Sequence, residues 1–239
     1  MDEYQGKTAR NYNQTRSKDL ILNPILDKYI PCVDGNASLL DVGCGHGFYY
    51  QKAIKKGYTY WGIDISPDMI SQAKNKYPNG NFSVLSATSF SKKINIKFDV
   101  ILFNYVLSVF SSKKDIFLAL KNSKQALKRT GIIIIGHIHP CFDSYMKKWL
   151  FKRSDIQTTF KGYFSSGIKY KTKKIFNNKK FIFQDYHWKL SDYIDCIIDN
   201  DLKIIKYDEC KPNSKIIKEE NYLKQRLNFP SYQVFVLKK

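Results

Sequence analysis

The sequence LLDVGCGHGF, near residue 40, constrains the fold more than any other part of the chain. An apolar, strand-like run leads into glycines at alternate positions, and a helical pattern follows. Glycine lets a backbone turn sharply and approach a ligand closely. The spacing differs from the G-x-G-x-x-G fingerprint of pyrophosphate-binding loops, because Phe48 stands at its third glycine position. Asp41 at the strand end would also repel a pyrophosphate, so the loop favours a ligand without phosphates.

Strand-like and helix-like patterns alternate through the first 140 residues. Ser66-Pro67 is a helix start, because serine caps a helix and proline suits its first turn. Continuous apolar strands that alternate with helices predict an α/β fold with a parallel sheet covered on both faces. Such sheets bind ligands beyond the carboxyl ends of their strands. The predicted helices are 47–56, 66–76, 114–128 and 191–200, with Gly131 as the end of the third. The predicted strands are 38–42, 58–65, 82–85, 98–103, 132–135, 202–209 and 232–237.

An acidic residue follows the glycine loop at an informative distance. Asp64 stands at the end of the second predicted strand, 21 residues after Gly43. That spacing suits a carboxylate that binds the two hydroxyls of a ribose. A ribose-binding carboxylate beside a loop that avoids phosphate predicts an adenosyl ligand without phosphates.

These motifs resemble those of class I S-adenosylmethionine-dependent methyltransferases. LDVGCGHGF is similar to their first motif, GIDISPDMI to the second, FDVILFNYVLSVF to the fourth-strand motif and LKRTGIIIIGHIHP to the turn and fifth strand. The segment ARNYNQTR resembles the part that caps the cofactor in the small-molecule branch, which is methyltransferase type 11/25-like and ubiquinone/menaquinone-methyltransferase-like. HPCF and YHWKLSDYID resemble a subgroup with HPCF and YHRTLSDYLN, although Trp188 and Lys189 replace its Arg and Thr.

The resemblance implies a Rossmann-like, seven-stranded, mostly parallel sheet with helices on both faces and an inserted lid subdomain. We expect one methyltransferase domain over 1–239, with a cofactor-capping segment at 1–30 and a lid or substrate subdomain at 141–189. It implies S-adenosylmethionine as the cofactor. Ser86 stands where many relatives have an Asp that binds the adenine amino group. The implied cofactor-binding residues are Tyr12, Arg16, Asp41, Gly43, Cys44, Gly45, Asp64, Ile65, Met69, Ser86, Ala87 and Asn104.

The acceptor side is less defined by the sequence. His139 and His187 are candidate general bases, with His137 ranked after them, and Tyr105, at the end of the fourth strand, is expected to face the transfer site. Each histidine also has a structural interpretation. A zinc site at GHIHPC is a further alternative, but Cys141 would lie about 13 Å from His137 in an extended chain. We therefore expect no metal site.

Composition leaves several function classes open. The net charge is +19, yet only five of the 40 basic residues are Arg, which is typical of AT-rich coding rather than of phosphate clamps. The leading prediction is an enzyme that methylates a small molecule on N, O or C. An RNA or protein methyltransferase and a non-catalytic cofactor-binding relative are the alternatives.

Five unpaired cysteines, no long apolar run and no apolar N-terminal segment predict a cytoplasmic protein. The acceptor and the oligomeric state stay open.

Overall fold

The computed structural model describes residues 17–142, 156–158, 162–176 and 179–239. Within these ranges ten strands form two sheets, one of seven strands and one of three. The strands of the larger sheet are β1 (Ala37–Val42), β2 (Tyr58–Asp64), β3 (Asn81–Val84), β4 (Phe98–Asn104), β5 (Leu127–Ile138), β9 (Lys203–Cys210) and β10 (Tyr232–Lys238). The strands of the smaller sheet are β6 (Ile156–Thr158), β7 (Ile168–Phe176) and β8 (Lys179–His187).

The described helices flank the larger sheet. They are α1 (Asn23–Tyr29), α2 (Tyr50–Lys55), α3 (Pro67–Lys76), α4 (Lys113–Ala126), α5 (Leu190–Ile198) and α6 (Ser214–Glu219). A π-helical turn at Lys18–Leu22 precedes α1, and short 3-10 turns cover Phe90–Lys92, Leu107–Val109, Pro140–Phe142 and Asn221–Leu227. Among the described segments, no helix combines the length and the apolar character needed to cross a bilayer.

The larger sheet has the strand order β3-β2-β1-β4-β5-β10-β9. β1 pairs in parallel with β2 on one side and with β4 on the other, so the strand order reverses between β1 and β4. β10 pairs antiparallel with both β5 and β9. The predicted α/β fold with a mostly parallel sheet is confirmed. The reversal at β1 and β4 is where such sheets bind their ligands.

Alternating residues of the central strands enter two separate cores. Leu40 and Ile101 belong to the core beneath α4 and α5, whereas Leu39 and Leu102 belong to the core beneath α1, α2 and α3. These side chains point to opposite faces because successive residues of a strand alternate. Both faces of the sheet are therefore covered, as the apolar strands predict.

Local sequence signals predict the start of α3 correctly but not the end of α4. The Ser66 hydroxyl accepts a hydrogen bond from the Met69 N–H at 3.3 Å and caps α3, as predicted. The prediction that Gly131 ends α4 is wrong, because α4 ends at Ala126 and β5 already begins at Leu127. A side chain at Gly131 would place its Cβ 2.9 Å from the Phe98 carbonyl oxygen. Gly131 therefore allows β5 to approach β4 closely, and it does not end a helix.

Candidate active site

A cavity of about 320 Å³ opens beyond the carboxyl ends of β1, β2 and β4. Every predicted cofactor-binding residue that the structure describes lines it, whereas Tyr12 and Arg16 lie outside the described residues. Their roles in binding stay predictions. The predicted residues in the lining are Asp41, Gly43, Cys44, Gly45, Asp64, Ile65, Met69, Ser86, Ala87 and Asn104.

The glycine loop adopts a backbone that side chains disfavour. Gly43, Gly45 and Gly47 have φ angles of +74°, +54° and +81°, in the left-handed region. A Cβ on Gly43 would lie 2.5 Å from Cγ2 of Val106, so that glycine is required by packing. A Cβ on Gly45 would meet only the Met69 sulfur, at 4.0 Å. The absent side chain of Gly45 therefore leaves room that belongs to the cavity.

Asp64, the last residue of β2, is fixed by backbone donors on both sides. Gly45 N–H donates to its Oδ2 at 2.9 Å, and Ser66 N–H donates to its Oδ1 at 2.9 Å. Burial raises the pKa of this carboxyl, while these hydrogen bonds oppose the shift. Each carboxylate oxygen retains acceptor capacity. The geometry suits a carboxylate that accepts two hydroxyl hydrogen bonds from one ligand.

Asp41, in β1, is the deeper of the two carboxyls. It is 2% exposed and accepts a hydrogen bond from the Tyr60 hydroxyl at 2.8 Å. Burial raises its pKa to about 7, although the Tyr60 hydrogen bond lowers it. A cationic group of a ligand would favour the ionised carboxylate here.

Beyond β3, Ser86 belongs to a small turn rather than pointing alone into the cavity. Its hydroxyl lies 2.9 Å from the Thr88 hydroxyl and accepts from the Thr88 N–H at 3.3 Å. Ala87 and Thr88 also line the cavity at this point. This end of the cavity therefore offers a compact polar turn beside an apolar surface.

The end of β4 brings Asn104 and Tyr105 to the cavity. Tyr105 has a φ of 65°, which is uncommon for a residue with a side chain. Its N–H donates to the Gly136 carbonyl at 2.6 Å. Asn104 donates from Nδ2 to Oδ1 of Asn23 at 3.3 Å. The backbone at Tyr105 is held away from its intrinsic preference, which is common at functional sites.

Sequence reasoning missed Lys18, which also lines the cavity. Lys18 is 4% exposed, and its Nζ lies 4.4 Å from the centre of the Tyr105 ring. The preceding residue anchors it, since the Ser17 and Tyr232 hydroxyls lie 2.8 Å apart. Only its place within the segment predicted to cap the cofactor could have pointed to it.

The smaller sheet supplies another part of the wall that sequence reasoning did not specify. Gln184 and Tyr186 of β8 line the cavity, and Gln184 Nε2 donates to the Tyr186 hydroxyl at 3.0 Å. Between them, Asp185 accepts a hydrogen bond from the Ser108 hydroxyl at 3.1 Å. The Trp188 indole N–H donates to the carbonyl of Phe110, another lining residue, at 3.1 Å. These two hydrogen bonds join β8 and the residue after it to the segment that follows β4, beside the cavity.

The structure does not bring His139 to the described lining of the cavity. The backbone N–H of His139 donates to the Ser231 carbonyl at 3.1 Å, and the ring Nδ1 accepts from the backbone N–H of Cys141 at 3.1 Å. Its Nε2 lies 3.0 Å from Oε1 of Glu209. Burial lowers the His139 pKa more than Glu209 raises it. Pairing of β5 with β10 turns His139 toward this strand edge, so its placement argues against the predicted catalytic role.

His187 is also absent from the described lining. It is fully buried, with its Nε2 2.8 Å from the Tyr163 carbonyl, and its own carbonyl accepts from the Gly167 N–H at 2.8 Å. The first contact fixes the imidazole ring of His187, and the second fixes its backbone. Of the three predicted catalytic residues, Tyr105 alone reaches the cavity.

The histidines of GHIHPC have separate partners. His137 Nε2 lies 2.9 Å from Gln233 Nε2, and its ring meets the Tyr193 ring edge-on at 4.4 Å between centroids. Burial lowers the His137 pKa to about 3. Within the described ranges, no group of three or more His, Cys, Asp or Glu side chains is arranged to hold a metal ion.

Comparison with known proteins finds similarity to methyltransferases over part of the chain. Residues 40–133 match the model of a methyltransferase domain. The ubiquinone biosynthesis O-methyltransferase of Pelagibacter ubique is 30% identical over 145 residues, which are 59% of this chain and 59% of that protein. The malonyl-[acyl-carrier protein] O-methyltransferase of Acetivibrio thermocellus is 24% identical over 139 residues, which are 56% and 48% of the two chains. The chain therefore spans about half to three fifths of the length of these relatives.

Solved structures show the same fold over most of the chain. An S-adenosylmethionine-dependent methyltransferase from Mesorhizobium loti superposes with a TM-score of 0.68 at 16% identity, covering 90% of this chain and 96% of that one. At this identity the likeness shows a shared fold, and the part of the chain that matches a methyltransferase domain, residues 40–133, includes the glycine loop and Asp64.

Proposed function

We propose that this protein transfers a methyl group from S-adenosylmethionine to a small-molecule acceptor. The observation that carries the proposal is the Asp64 carboxylate, which the Gly45 and Ser66 N–H groups hold at 2.9 Å beside the open space at Gly45. Asp64 binds the ribose hydroxyls, and the adenine lies along Ser86 and Ala87. The amino-acid part of the cofactor extends toward Asp41 and the end of β4.

The shape of the cavity favours a small acceptor. A volume of about 320 Å³ is at the lower end of ligand pockets. Gln184 and Tyr186 of the smaller sheet line the same cavity as the glycine loop, so the acceptor binds between the two sheets. The named relatives are O-methyltransferases, which supports the reaction type. Methyl transfer to N, O or C of the acceptor is compatible with this cavity.

The residues that line the cavity suit a reaction whose rate depends on the alignment of the acceptor with the methyl group. The methyl group of a sulfonium is already activated when bound, so the protein needs no covalent intermediate. Holding the acceptor in line with the breaking bond supplies much of the rate enhancement. Tyr105, Phe110 and Tyr186 line the acceptor side with aromatic rings. Such rings exclude water, and their faces attract cations. Tyr105 is the residue that we assign to the transfer site.

Calorimetry with S-adenosylmethionine and with its demethylated product tests the cofactor assignment directly. We expect micromolar binding of both, with one site per chain. Absence of binding by either compound would refute the proposal. A screen with a labelled methyl donor and cell-extract fractions then identifies the acceptor. Label in low-mass compounds supports a small acceptor, whereas label in RNA or protein supports the macromolecular alternative. Binding without turnover across all fractions would favour a non-catalytic relative.

A further inference from the structure

A third carboxylate lines the cavity in addition to Asp41 and Asp64. Asp115 belongs to the first turn of α4 and forms part of the cavity lining. The hydroxyl of Ser112, which caps this helix, donates to Oδ2 of Asp115 at 2.7 Å, and the backbone N–H of Asp115 donates to the same hydroxyl at 3.1 Å. The oxygens of a carboxylate can each accept more than one hydrogen bond. Asp115 can therefore bind a donor group of a ligand while it keeps its contact with Ser112.

The turn that follows β3 carries no acidic side chain. Its sequence from residue 85 to residue 93 is LSATSFSKK. The Ser86 hydroxyl is held within the turn, since it lies 2.9 Å from the Thr88 hydroxyl and accepts from the Thr88 N–H at 3.3 Å. An adenine that lies along Ser86 and Ala87, as proposed above, therefore meets no carboxylate from this turn. A charged partner for its amino group has to come from another element.

Helix α4 brings Asp115 to the side of the cavity where this turn lies. Asn122 of α4 binds the turn, because its Nδ2 donates to the Thr88 carbonyl at 2.8 Å and its Oδ1 accepts from the Ser91 N–H at 3.2 Å. Asp115 precedes Asn122 by seven residues, which is close to two helical turns, so both side chains project from the same face of α4. The face that packs against the turn therefore carries Asp115 at its cavity end, about 10 Å along the helix axis from Asn122.

A carboxylate in this position distinguishes adenine from bases without an amino group. The 6-amino group of adenine donates hydrogen bonds, and an ionised carboxylate accepts them and donates none. A hydrogen bond to a charged group contributes more to affinity than one between neutral groups. A base with hydrogen in place of the amino group would cover Asp115 without offering it a donor. Loss of the amino group should therefore weaken binding roughly tenfold.

We propose that Asp115 accepts a hydrogen bond from the 6-amino group of the bound adenine and makes the site specific for that base. The inference rests on the proposed methyltransferase function and deepens it by naming the residue that recognises the base. The Ser112 hydroxyl positions the carboxylate through Oδ2. Asp64 binds the ribose at the other end of the nucleoside. The acidic group thus reaches the adenine from α4 and not from the turn that follows β3.

Two pairs of nucleosides test the proposal on the full chain by calorimetry. One pair is the demethylated product of the cofactor and its analogue with hydrogen in place of the 6-amino group. The other pair is 5′-methylthioadenosine and its analogue with the same replacement. We expect wild type to bind each amino form roughly tenfold more tightly than its analogue. Asp115→Ala should reduce this preference to within about twofold by weakening the amino forms alone. Asp115→Asn, whose amide oxygen still accepts, should retain part of it.

Two further variants separate recognition of the base from stability of the helix. Asp195→Ala is the matched control, because Asp195 is exposed, forms an ion pair with Lys113 of α4 at 2.7 Å and is not part of the described lining. It should leave the preference unchanged. Ser112→Ala removes the capping hydroxyl but keeps the carboxylate, so it should lower the Tm as Asp115→Ala does and still retain most of the preference.

Three results would overturn the assignment of Asp115. They are no preference for the amino forms in wild type, a preference that survives Asp115→Ala, and an equal loss of affinity for both members of a pair in that variant. Each of them leaves cofactor binding by wild type intact and so refutes this inference alone. Failure of wild type to bind the demethylated product refutes the proposed function and this inference with it.

Discussion

The two halves of the cavity are built in different ways. The proposed cofactor half consists of strand ends and their following turns, and backbone N–H groups of Gly45 and Ser66 fix its central carboxylate. The proposed acceptor half joins side chains from three separate parts of the chain: Lys18, Tyr105 and Tyr186. The first half is built from contacts close in the sequence, and the second from contacts between residues far apart in the sequence. Substitutions in the two halves should therefore affect different ligands.

Filling the space at Gly45 should have the largest effect. Gly45→Val places a side chain in the cavity where the nearest protein atom is the Met69 sulfur at 4.0 Å. We expect cofactor affinity to fall by roughly a hundredfold or more, about 2.7 kcal/mol. Gly35→Val is the matched control, because Gly35 has a φ of +92° and a Cβ there would meet nothing within 4 Å. Calorimetry that detects near-normal binding in Gly45→Val would contradict the loop assignment.

Removing the Asp64 carboxylate should have the next largest effect. Asp64→Ala loses two charge-assisted hydrogen bonds to the ribose, so the dissociation constant should rise roughly tenfold or more. Asp99→Ala is a suitable control, because Asp99 also accepts a backbone N–H, from Ser38 at 2.8 Å, and does not line the cavity. Equal affinity of Asp64→Ala and wild type would show that the ribose lies elsewhere.

Cofactor binding should depend on pH through Asp41. Because burial raises its folded pKa to about 7, this carboxyl destabilises the empty fold as the pH rises from about 4 through 7. A bound cation favours the ionised form, so affinity should increase by up to roughly tenfold between pH 6 and pH 8. Asp41→Asn should flatten this profile. The affinity for 5′-methylthioadenosine, which lacks the amino-acid part with its α-amino group and also the sulfonium charge, should not change with pH in wild type. A steep profile that persists in Asp41→Asn would assign the titration to another group.

Replacing His139 should have the smallest effect on the reaction. His139→Gln keeps a polar side chain but disturbs the contacts with the Cys141 N–H and with Glu209. We expect the initial rate of labelled-methyl transfer to stay within about twofold, and stability to fall by about 1 kcal/mol, a Tm decrease of roughly 2 to 4 °C. A rate loss of about a hundredfold at unchanged cofactor affinity would show that His139 takes part in catalysis and that the acceptor half extends to the end of β5.

The difference between the two halves of the cavity also explains which residues could be predicted from the sequence. Gly45, Asp64 and the Ser66 cap lie in or beside short motifs, where local spacing determines the contacts, so their placement at the cavity could be predicted from the sequence. Lys18 reaches the cavity because the residue before it contacts Tyr232, 215 positions away in the chain. No local pattern encodes such a contact.

Two placements that differ from the local sequence signal have similar causes. His139 directly follows an apolar strand, which suggests a place at the site. The antiparallel neighbour β10 instead continues the pairing to Ile138 and directs His139 toward Glu209. Gly131 has the composition of a helix stop, but its role is close contact between β4 and β5. In both cases a neighbouring strand that is distant in the sequence overrides the local signal.

The smaller sheet lies between β5 and α5 in the chain, outside the seven-stranded order. It contributes Gln184 and Tyr186 to the wall, and Trp188 ties its end to Phe110. A change confined to this contiguous stretch would therefore reshape the Gln184 and Tyr186 side of the proposed acceptor half and leave the glycine loop and Asp64 as they are.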